Sequence, residues 1–340
     1  MSLDKIDYKI LWNLDYNARM SLSELASNTN LSKQNLNYRI KKLINENVLL
    51  GFMSVVDIHR LGYLTYRIYF RFRNVDTKKE EEIVNYFKNH DHVLWFVSTS
   101  GHWDLEVVFT ARNDVHLNNL FKKIKEDLGQ YFLKYNVSAS MFNYHFKRDY
   151  LLSKKREEFT PKYYGFEPKQ EELDQLDVDI LVQLSENCRQ NNQEIAQKIG
   201  VTYHTVKNRI NELEKKKIIQ SYRILINLSA VNRKFYKALI KLNNPTKEEE
   251  KRLYSFCSQF NFVVYLVEVL GEWQLEIETE VENQEEFTEL LRKIRNEFPD
   301  LILDYDILQV TKEHKLNYFP MGRENTGESP NETNRYQLVP

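Results

Sequence analysis

The sequence repeats itself at a constant offset of 170 residues, and this duplication limits the chain to folds built from two similar halves. The stretch 32–50, SKQNLNYRIKKLINENVLL, has a second copy at 202–220, TYHTVKNRINELEKKKIIQ. Five earlier residues recur at the same offset: Asp7, Ile10, Leu11, Leu14 and Asn17 match Asp177, Ile180, Leu181, Leu184 and Asn187. We therefore expect each half to contain the same elements in the same order.

Both copies of this stretch are predicted to form an amphipathic helix with a defined start. Apolar residues recur at helical spacing, namely Leu36, Ile40 and Leu43 in the first copy and Val206, Ile210 and Leu213 in the second. Ser32 and Thr202 occupy the N-cap position, where a hydroxyl accepts a hydrogen bond from a backbone N–H of the first turn. A turn at Asn30 or Gly200 separates each helix from a shorter one, and both residue types tolerate a left-handed backbone. The pattern predicts a helix-turn-helix in each half.

Any function of the two capped helices must lie on their polar faces, because the apolar stripe belongs to the core. Asn and Gln can pair with adenine edges, and Lys can contact guanine or phosphate. The candidate DNA-binding residues are Ser32, Lys33, Gln34, Asn35, Asn37, Tyr38, Arg39, Lys41, Thr202, Tyr203, His204, Thr205, Lys207, Asn208 and Arg209. A solvated helix face is the alternative interpretation. For Arg39 and Arg209, a phosphate contact and an internal salt bridge are both open.

The segments 48–57 and 218–227, which follow these helices, are rich in Val, Ile and aromatic residues. They predict paired strands of a wing, so each module is expected to be a winged helix-turn-helix. Charge favours the first module for DNA binding. Residues 1–50 hold seven Lys and Arg against five Asp and Glu, whereas residues 171–220 hold seven against nine. The net charge of the whole chain, −1, does not by itself indicate a nucleic-acid binder.

Composition indicates an ordinary cytoplasmic protein with no membrane partner. No run of about 18 apolar residues is present, and the N-terminal segment carries acids where a signal peptide needs a basic start. Cys188 and Cys257 are the only cysteines, too few for a disulfide framework or a zinc cluster. Nine glycines leave little room for a phosphate-binding loop. We predict no cofactor, no metal site and no catalytic residues.

From Gly62 the pattern changes to that of a ferredoxin-like unit, with the order β-α-β-β-α-β. The predicted elements of the first half are 63–73, 80–89, 93–99, 103–110, 114–128 and 133–144. Those of the second half are 236–242, 247–259, 262–269, 273–280, 284–297 and 302–310. The fold class is therefore α+β, with two winged helix-turn-helix modules and two βαββαβ domains.

One motif recurs between the two central strands of each unit: GHWDLEV at 101–107 and GEWQLEI at 271–277. Together with the 3–57 module and the order of elements, it resembles the Lrp/AsnC family of feast/famine regulators. In that family the ferredoxin-like part is the RAM effector domain. The resemblance covers nearly the whole chain, twice. It implies the domains 1–60 (winged helix-turn-helix), 61–150 (RAM), 151–172 (linker), 173–230 (winged helix-turn-helix) and 231–320 (RAM), followed by a disordered tail at 321–340.

The resemblance further implies a regulator of transcription that binds double-stranded DNA and responds to an amino acid or another small effector. By motif position the effector-binding residues would be Gly101, Trp103, Asp104, Gly271, Trp273 and Gln274. Core packing is the alternative for the two tryptophans. Gln274 replaces an acid in the second half, where only a neutral hydrogen bond is possible. We expect the two RAM sheets to pack face to face as an intramolecular pseudo-dimer, with higher homo-oligomers possible.

The chain departs from the family's pattern at two positions, and two other functions are open. Where the family commonly has Gly at the end of the recognition helix, this chain has Asn47 and Lys217, and a left-handed Lys costs about 1 kcal/mol.

Siroheme decarboxylases resemble the family in build and can occur as fused pairs. The residues available for such an enzyme are His90, His92, His102 and Arg112, and none of them recurs in the second half. An effector-binding protein that has lost DNA binding is the other alternative.

Overall fold

A computed structural model describes residues 3–156, 162–165 and 171–320. The elements of the first half are α1 (Lys5–Tyr16), α2 (Leu22–Thr29), α3 (Lys33–Asn45), β1 (Leu49–Val56), β2 (Leu64–Phe72), α4 (Thr77–Lys88), β3 (Val93–Gly101), β4 (Leu105–Ala111), α5 (Asp114–Leu128), β5 (Phe132–His145) and β6 (Lys162–Tyr164). Those of the second half are α6 (Gln175–Glu186), α7 (Asn192–Ile199), α8 (Tyr203–Lys215), β7 (Ile219–Ile226), β8 (Lys234–Leu242), α9 (Lys247–Ser258), β9 (Val263–Leu270), β10 (Leu275–Val281), α10 (Gln284–Glu297) and β11 (Ile302–Leu316). The predicted duplication of elements and the α+β class are confirmed.

The two RAM sheets close into one eight-stranded antiparallel barrel. Neighbouring strands follow the order β2, β4, β3, β11, β8, β10, β9, β5, and β5 pairs again with β2. The two halves contact each other in equivalent ways. β11 pairs with β8 of its own half and with β3 of the first half, and β5 pairs with β2 of its own half and with β9 of the second half. The last strand of each half therefore also pairs with a strand of the other half. A closed barrel has no free edge among these eight strands.

Side chains alternate between the barrel interior and the outer face, as strand geometry requires. In the first half, Ile68, Phe70, Val107 and Phe109 point outward and pack against Phe121 and Ile124 of helix α5. The interior is filled at one end by Tyr69, Trp103, Leu239, Val267, Val269, Trp273 and Leu308. Apolar packing thus fixes the barrel on both faces of its wall.

The strands predicted as wings pair with each other across the two halves, and not within each module. β1 runs antiparallel to β7, and Met53 lies opposite its own equivalent, Arg223. On either side of this pair Phe52 faces Ile224 and Ser54 faces Tyr222, so a local two-fold axis passes through the pair. This partner was not predictable, because the apolar pattern of a strand determines which face is buried and does not select the neighbouring strand.

The described parts of the predicted linker, 151–172, contact the two halves of the chain. Its first residue, Leu151, is buried, and β6 pairs with the end of β5. Arg156 donates hydrogen bonds to Asp149 and to the backbone oxygen of Ser258, so the start of the connection is fixed to the second half. The predicted tail, 321–340, lies outside the described residues. Among the described residues, no helix is long and apolar enough to cross a membrane.

Candidate functional site

The first recognition helix, α3, has the predicted cap and core. The Ser32 hydroxyl accepts a hydrogen bond from the backbone N–H of Asn35 at 3.2 Å, and Asn30 closes the preceding helix with φ +56°. The stripe Leu36, Ile40 and Leu43 is buried. The other face is exposed at Ser32, Lys33, Gln34, Asn35, Asn37, Tyr38 and Lys41. The Tyr38 side chain is 66% exposed, so this face has no partner within the described chain that would cover a large aromatic ring.

The second recognition helix, α8, is built in the same way. The Thr202 hydroxyl accepts from the backbone N–H of Thr205 at 3.2 Å, and Gly200 has φ +73°. The exposed face carries Thr202, Tyr203, His204, Lys207 and Asn208, whereas Thr205 is half-buried. The two helices therefore present polar faces of unlike composition on the same scaffold.

Arg39 and Arg209 form the internal salt bridge, one of the two alternatives left open by the sequence. Arg39 lies 2.8 Å from Asp4 and 2.7 Å from Asp7, at the start of α1. Arg209 contacts the equivalent acids, Asp174 at 2.8 Å and Asp177 at 3.3 Å. Because these acids also cap or begin helices α1 and α6, each arginine ties the recognition helix to its own module.

A reciprocal pair of arginines, missed by the sequence analysis, joins the two modules. Arg19 donates to the backbone oxygens of Cys188 and Gln190, at 2.6 and 3.2 Å. Arg189, its equivalent, donates to the oxygens of Ala18 and Met20 at the same two distances. The matching Asn-x-Arg stretches at 17–19 and 187–189 were the available signal. The contacts follow the two-fold axis of the β1–β7 pair, so they hold the recognition helices in a fixed mutual orientation.

In both recognition helices, the residue after the C-cap has a left-handed backbone. Asn47 has φ +54° and Lys217 has φ +57°. The Cβ atom makes this conformation costly because it lies close to the following carbonyl oxygen, and Asn tolerates the conformation better than Lys.

Replacing Lys217 with Gly is expected to stabilise the protein by about 0.5–1 kcal/mol, because Gly adopts positive φ without steric strain. Urea unfolding measures the change as a higher midpoint. Lys217→Ala is the control, since it removes the exposed side chain and keeps the strain. An equal gain from both variants would show that the side chain, and not the backbone, is responsible.

The predicted effector residues lie at the closed end of the barrel, where each contact has a structural role. A Cβ on Gly101 would lie 2.6 Å from the backbone oxygen of Ile307, so β11 requires glycine there. Asp104 accepts from the backbone N–H of Phe72 at 2.7 Å, and Gln274 accepts from the equivalent N–H of Leu242 at 2.9 Å. Acid and amide thus accept the same backbone hydrogen bond in the two halves.

Of the other three predicted effector residues, Gly271 is exposed and the two tryptophans are buried. Gly271 approaches Ser138 of β5, where a Cβ would lie 2.6 Å from the hydroxyl oxygen. Trp103 and Trp273 are buried against Tyr69, with ring centroids 6.0 and 5.0 Å from it. The core interpretation of the tryptophans therefore matches their surroundings, while an effector role for the six residues stays a prediction.

A cluster of five charged side chains fills the middle of the barrel. Arg67 and Lys237 occupy equivalent positions, as do Glu106 and Glu276, and Glu278 is the fifth member. Arg67 lies 2.8–2.9 Å from all three carboxylates, and Lys237 lies 2.5–3.2 Å from them. The carboxylate oxygens are close enough together for a metal ion, but the two cations already occupy the space between them.

The cluster contains one more carboxyl group than it has cationic groups. Three ionised carboxylates would exceed the two cations by one charge. Burial raises the pKa of Glu106, whereas Arg67 and Lys237 overcome burial and lower the pKa of Glu276. The Tyr69 hydroxyl donates to one of these carboxylates and lies within hydrogen-bond distance of the other.

A second ionic network connects the first helix-turn-helix module with the second RAM domain. Asp15, at the end of α1, contacts Arg223 of β7 and Arg148 after β5, both at 2.7 Å. Arg148 also forms a bidentate salt bridge with Glu280 of β10, through two hydrogen bonds of 2.8 Å. Burial works against ionised Asp15, but the two arginines lower its pKa. Tyr150 donates a further hydrogen bond to Glu280.

The open end of the barrel contains a cavity of about 830 Å³ beneath the β1–β7 sheet. All four modules contribute to its wall, including Met53 and Leu225 from the paired strands and Trp95, His145 and Tyr265 from the barrel. None of the six predicted effector residues lines it. Nor do His90, His92, His102 or Arg112, the residues considered for an enzyme. The sequence could not locate this cavity, because its lining comes from strands that are distant in the chain.

Comparison with known proteins identifies the family. A family model for winged helix-turn-helix DNA-binding domains matches residues 3–49 and 173–220. An uncharacterized HTH-type transcriptional regulator of Pyrococcus furiosus is 30% identical over 128 residues, which cover 37% of this chain and 82% of that protein. The chain belongs to the Lrp/AsnC family of transcriptional regulators. The HTH-type transcriptional regulator FL11 of Pyrococcus horikoshii is 28% identical over 122 residues, which cover 36% of this chain and 80% of that protein.

The tandem Lrp/AsnC chain also resembles one solved structure over nearly its full length. The crystal structure of the siroheme decarboxylase NirDL covers 95% of this chain and 97% of its own, with a TM-score of 0.60 and 16% identity. The structure of NirDL with an iron-uroporphyrin III analogue matches equally well. At this identity the likeness concerns the fold alone.

Proposed function

We propose that this Lrp/AsnC regulator binds double-stranded DNA in a sequence-specific way through α3 and α8 together. The observation that carries the proposal is the local two-fold axis through Met53 and Arg223, which relates two exposed recognition helices within one chain. DNA presents equivalent groove surfaces about two-fold axes, so a protein with this symmetry can contact two half-sites at once. The reciprocal contacts of Arg19 and Arg189 support a fixed spacing between the helices.

The two half-sites should differ in sequence. Gln34 of α3 corresponds to His204 of α8, and Lys33 corresponds to Tyr203, so the groups offered to base edges are not the same. We therefore propose an operator with two inverted, non-identical half-sites. The first module should contribute more of the affinity, since its segment is net basic and the second is net acidic.

Replacing both Gln34 and Asn37 with Ala should cost about 1–3 kcal/mol per lost base contact on the operator and little on random DNA. Replacing Lys33 or Lys41 with Gln should weaken binding to every sequence and reduce the salt slope by about 0.9 per phosphate contact. The measurement is fluorescence anisotropy over a salt series, with DNA from upstream of the protein's own gene and a random duplex.

Lys78→Gln is the matched control, because Lys78 is exposed on α4, away from both recognition helices. Equal losses on both DNAs from the Gln34/Asn37 and the lysine variants would contradict base readout by α3. His204→Ala and Lys207→Gln test α8 in the same assay. Absence of binding at low salt would favour a sensor that has lost DNA binding.

We further propose that a small molecule modulates DNA binding, and that the chain is not an enzyme. A tetrapyrrole decarboxylase is the second candidate, which the full-length likeness to NirDL and the interior cavity favour. Anaerobic incubation with siroheme, followed by mass spectrometry of the tetrapyrrole, decides between them. Loss of one or two carboxyl groups would establish the enzyme; an unchanged mass together with specific DNA binding would support the regulator.

A further inference from the structure

The interior cavity has the size and position of a ligand site. Its volume of about 830 Å³ falls in the range of roughly 300–1,000 Å³ that holds cofactor-sized molecules, and it is larger than an amino acid requires. It lies between the barrel and the paired β1–β7 strands, whose residues Met53 and Leu225 line it. Asn47, which follows the C-cap residue of recognition helix α3, lines it as well.

Two aromatic side chains line opposite walls of this cavity. Trp95 on β3 and Tyr265 on β9 are equivalent residues of the two halves, and both line the cavity. Strands β3 and β9 are four apart in the eight-stranded barrel, so they lie on opposite walls. Phe235 adds a third ring, 6.1 Å from Trp95. Opposed rings suit an aromatic ligand, which can stack on either wall.

Charge at the mouth favours an anion. Lys234 and Lys312 line the cavity, are exposed, and form no ion pair with any residue of the described chain. The deeper cations are already neutralised, Arg67 by three glutamates and Arg148 by Asp15 and Glu280. The equivalents of the two lysines are Leu64 and Phe142, so only one side of the mouth is cationic.

One donor inside the cavity has no partner. The side chain of Asn143 is 97% buried, and its Nδ2 lacks a hydrogen-bond acceptor within the described residues. A buried amide without a partner is costly, and a ligand oxygen at this position would remove the cost. One ligand would therefore contact all three features. An acceptor oxygen would bind Asn143, a ring system would lie between the aromatic walls, and an anionic group would bind the two lysines.

We propose that the cavity binds an aromatic organic anion, with its ring system between Trp95 and Tyr265 and its acidic group at Lys234 and Lys312. The role of this molecule as the effector rests on the proposed function, whereas its binding does not. Because the cavity touches both paired strands and the end of α3, occupancy changes the surroundings of both DNA-binding modules at once.

The test uses the full chain without DNA and two fluorescent probes that share one aromatic body. 1-Anilinonaphthalene-8-sulfonate carries the anion, and N-phenyl-1-naphthylamine is neutral. We expect saturable binding of one sulfonate probe per chain, with affinity reduced at least fivefold in the double variant Lys234→Gln/Lys312→Gln and unchanged in Lys78→Gln/Lys122→Gln. The neutral probe should bind both variants equally.

A second variant, Val108→Phe, fills the cavity from its wall and should weaken both probes at least tenfold. Circular dichroism checks that it folds, and the lysine variants, which change only exposed side chains, keep the test valid if it does not. Probe affinity that is insensitive to the cavity lysines, or several weak sites without saturation, would overturn the proposal. Since no DNA is present, such a failure leaves the DNA-binding proposal to its own assay.

Discussion

Replacing Lys237 with Met is expected to lower the free energy of unfolding by about 3–5 kcal/mol, because three buried carboxylates would remain with one buried cation. Lys237 is fully buried in the barrel, and its ammonium group contacts Glu106, Glu276 and Glu278. Methionine has a similar length and flexibility, so the loss reports charge and not shape. Urea unfolding followed by circular dichroism measures it.

The matched control is Lys241→Met on the same strand, where the lysine is half-buried and the expected change is within about 0.5 kcal/mol. The double variant Lys237→Met/Glu278→Gln removes one cation and one anion and should be more stable than Lys237→Met. In Lys237→Met the loss of the ammonium group raises the pKa of the carboxyl groups in the cluster. The loss in free energy of unfolding relative to the wild type should therefore be smaller at pH 5 than at pH 8. A deficit independent of both pH and Glu278 would refute an electrostatic origin.

Replacing Asp15 with Ala should cost a similar amount, about 3–5 kcal/mol, because Arg148 and Arg223 lose a shared buried carboxylate. The wild-type contribution of Asp15 has a defined pH range. Since its pKa is lowered in the folded protein, the stabilisation is complete above the ordinary carboxyl pKa of about 3.9 and is lost as the pH falls below it. Unfolding at pH 7 therefore measures the full effect.

A second substitution tests this origin. The two-fold equivalent of Arg223 is Met53, so Arg223→Met places a side chain that the same sheet already accepts. Asp15→Ala/Arg223→Met should lose less stability than the sum of the single variants, since one unpaired charge is removed. Glu126→Ala, at an exposed site on α5, is the control for the loss of one acid. Strict additivity would mean that Asp15 and Arg223 do not stabilise each other.

Local structure was predictable from the sequence because its causes are local. The predicted helices 114–128 and 284–297 agree with α5 and α10 at both ends, since Asn113 and Asn283 cap them and apolar residues recur at helical spacing. The left-handed residues Asn47 and Lys217 followed from their place after a helix. The same reasoning placed the polar faces of α3 and α8 outside the core.

Contacts between the halves were not predictable, because pattern alone does not select a strand's neighbour. β11 was expected to end at 310 but continues to Leu316, where its last residues pair with β3 of the other half. The charged interior was missed because Lys and Glu on a strand usually mark its solvent face. The repeated pairs Arg67/Lys237 and Glu106/Glu276 were the signal: like charge kept at equivalent strand positions indicates a shared interior.

Because the two halves that exchange their last strands belong to one chain, dilution does not separate them. In a protein of two separate subunits, pairings such as β3–β11 would weaken as the concentration fell. Here the covalent connection keeps each half near the other at any concentration. A single molecule therefore carries both recognition helices even at very low copy number. Occupancy of an operator should rise in proportion to the number of molecules, and not with its square.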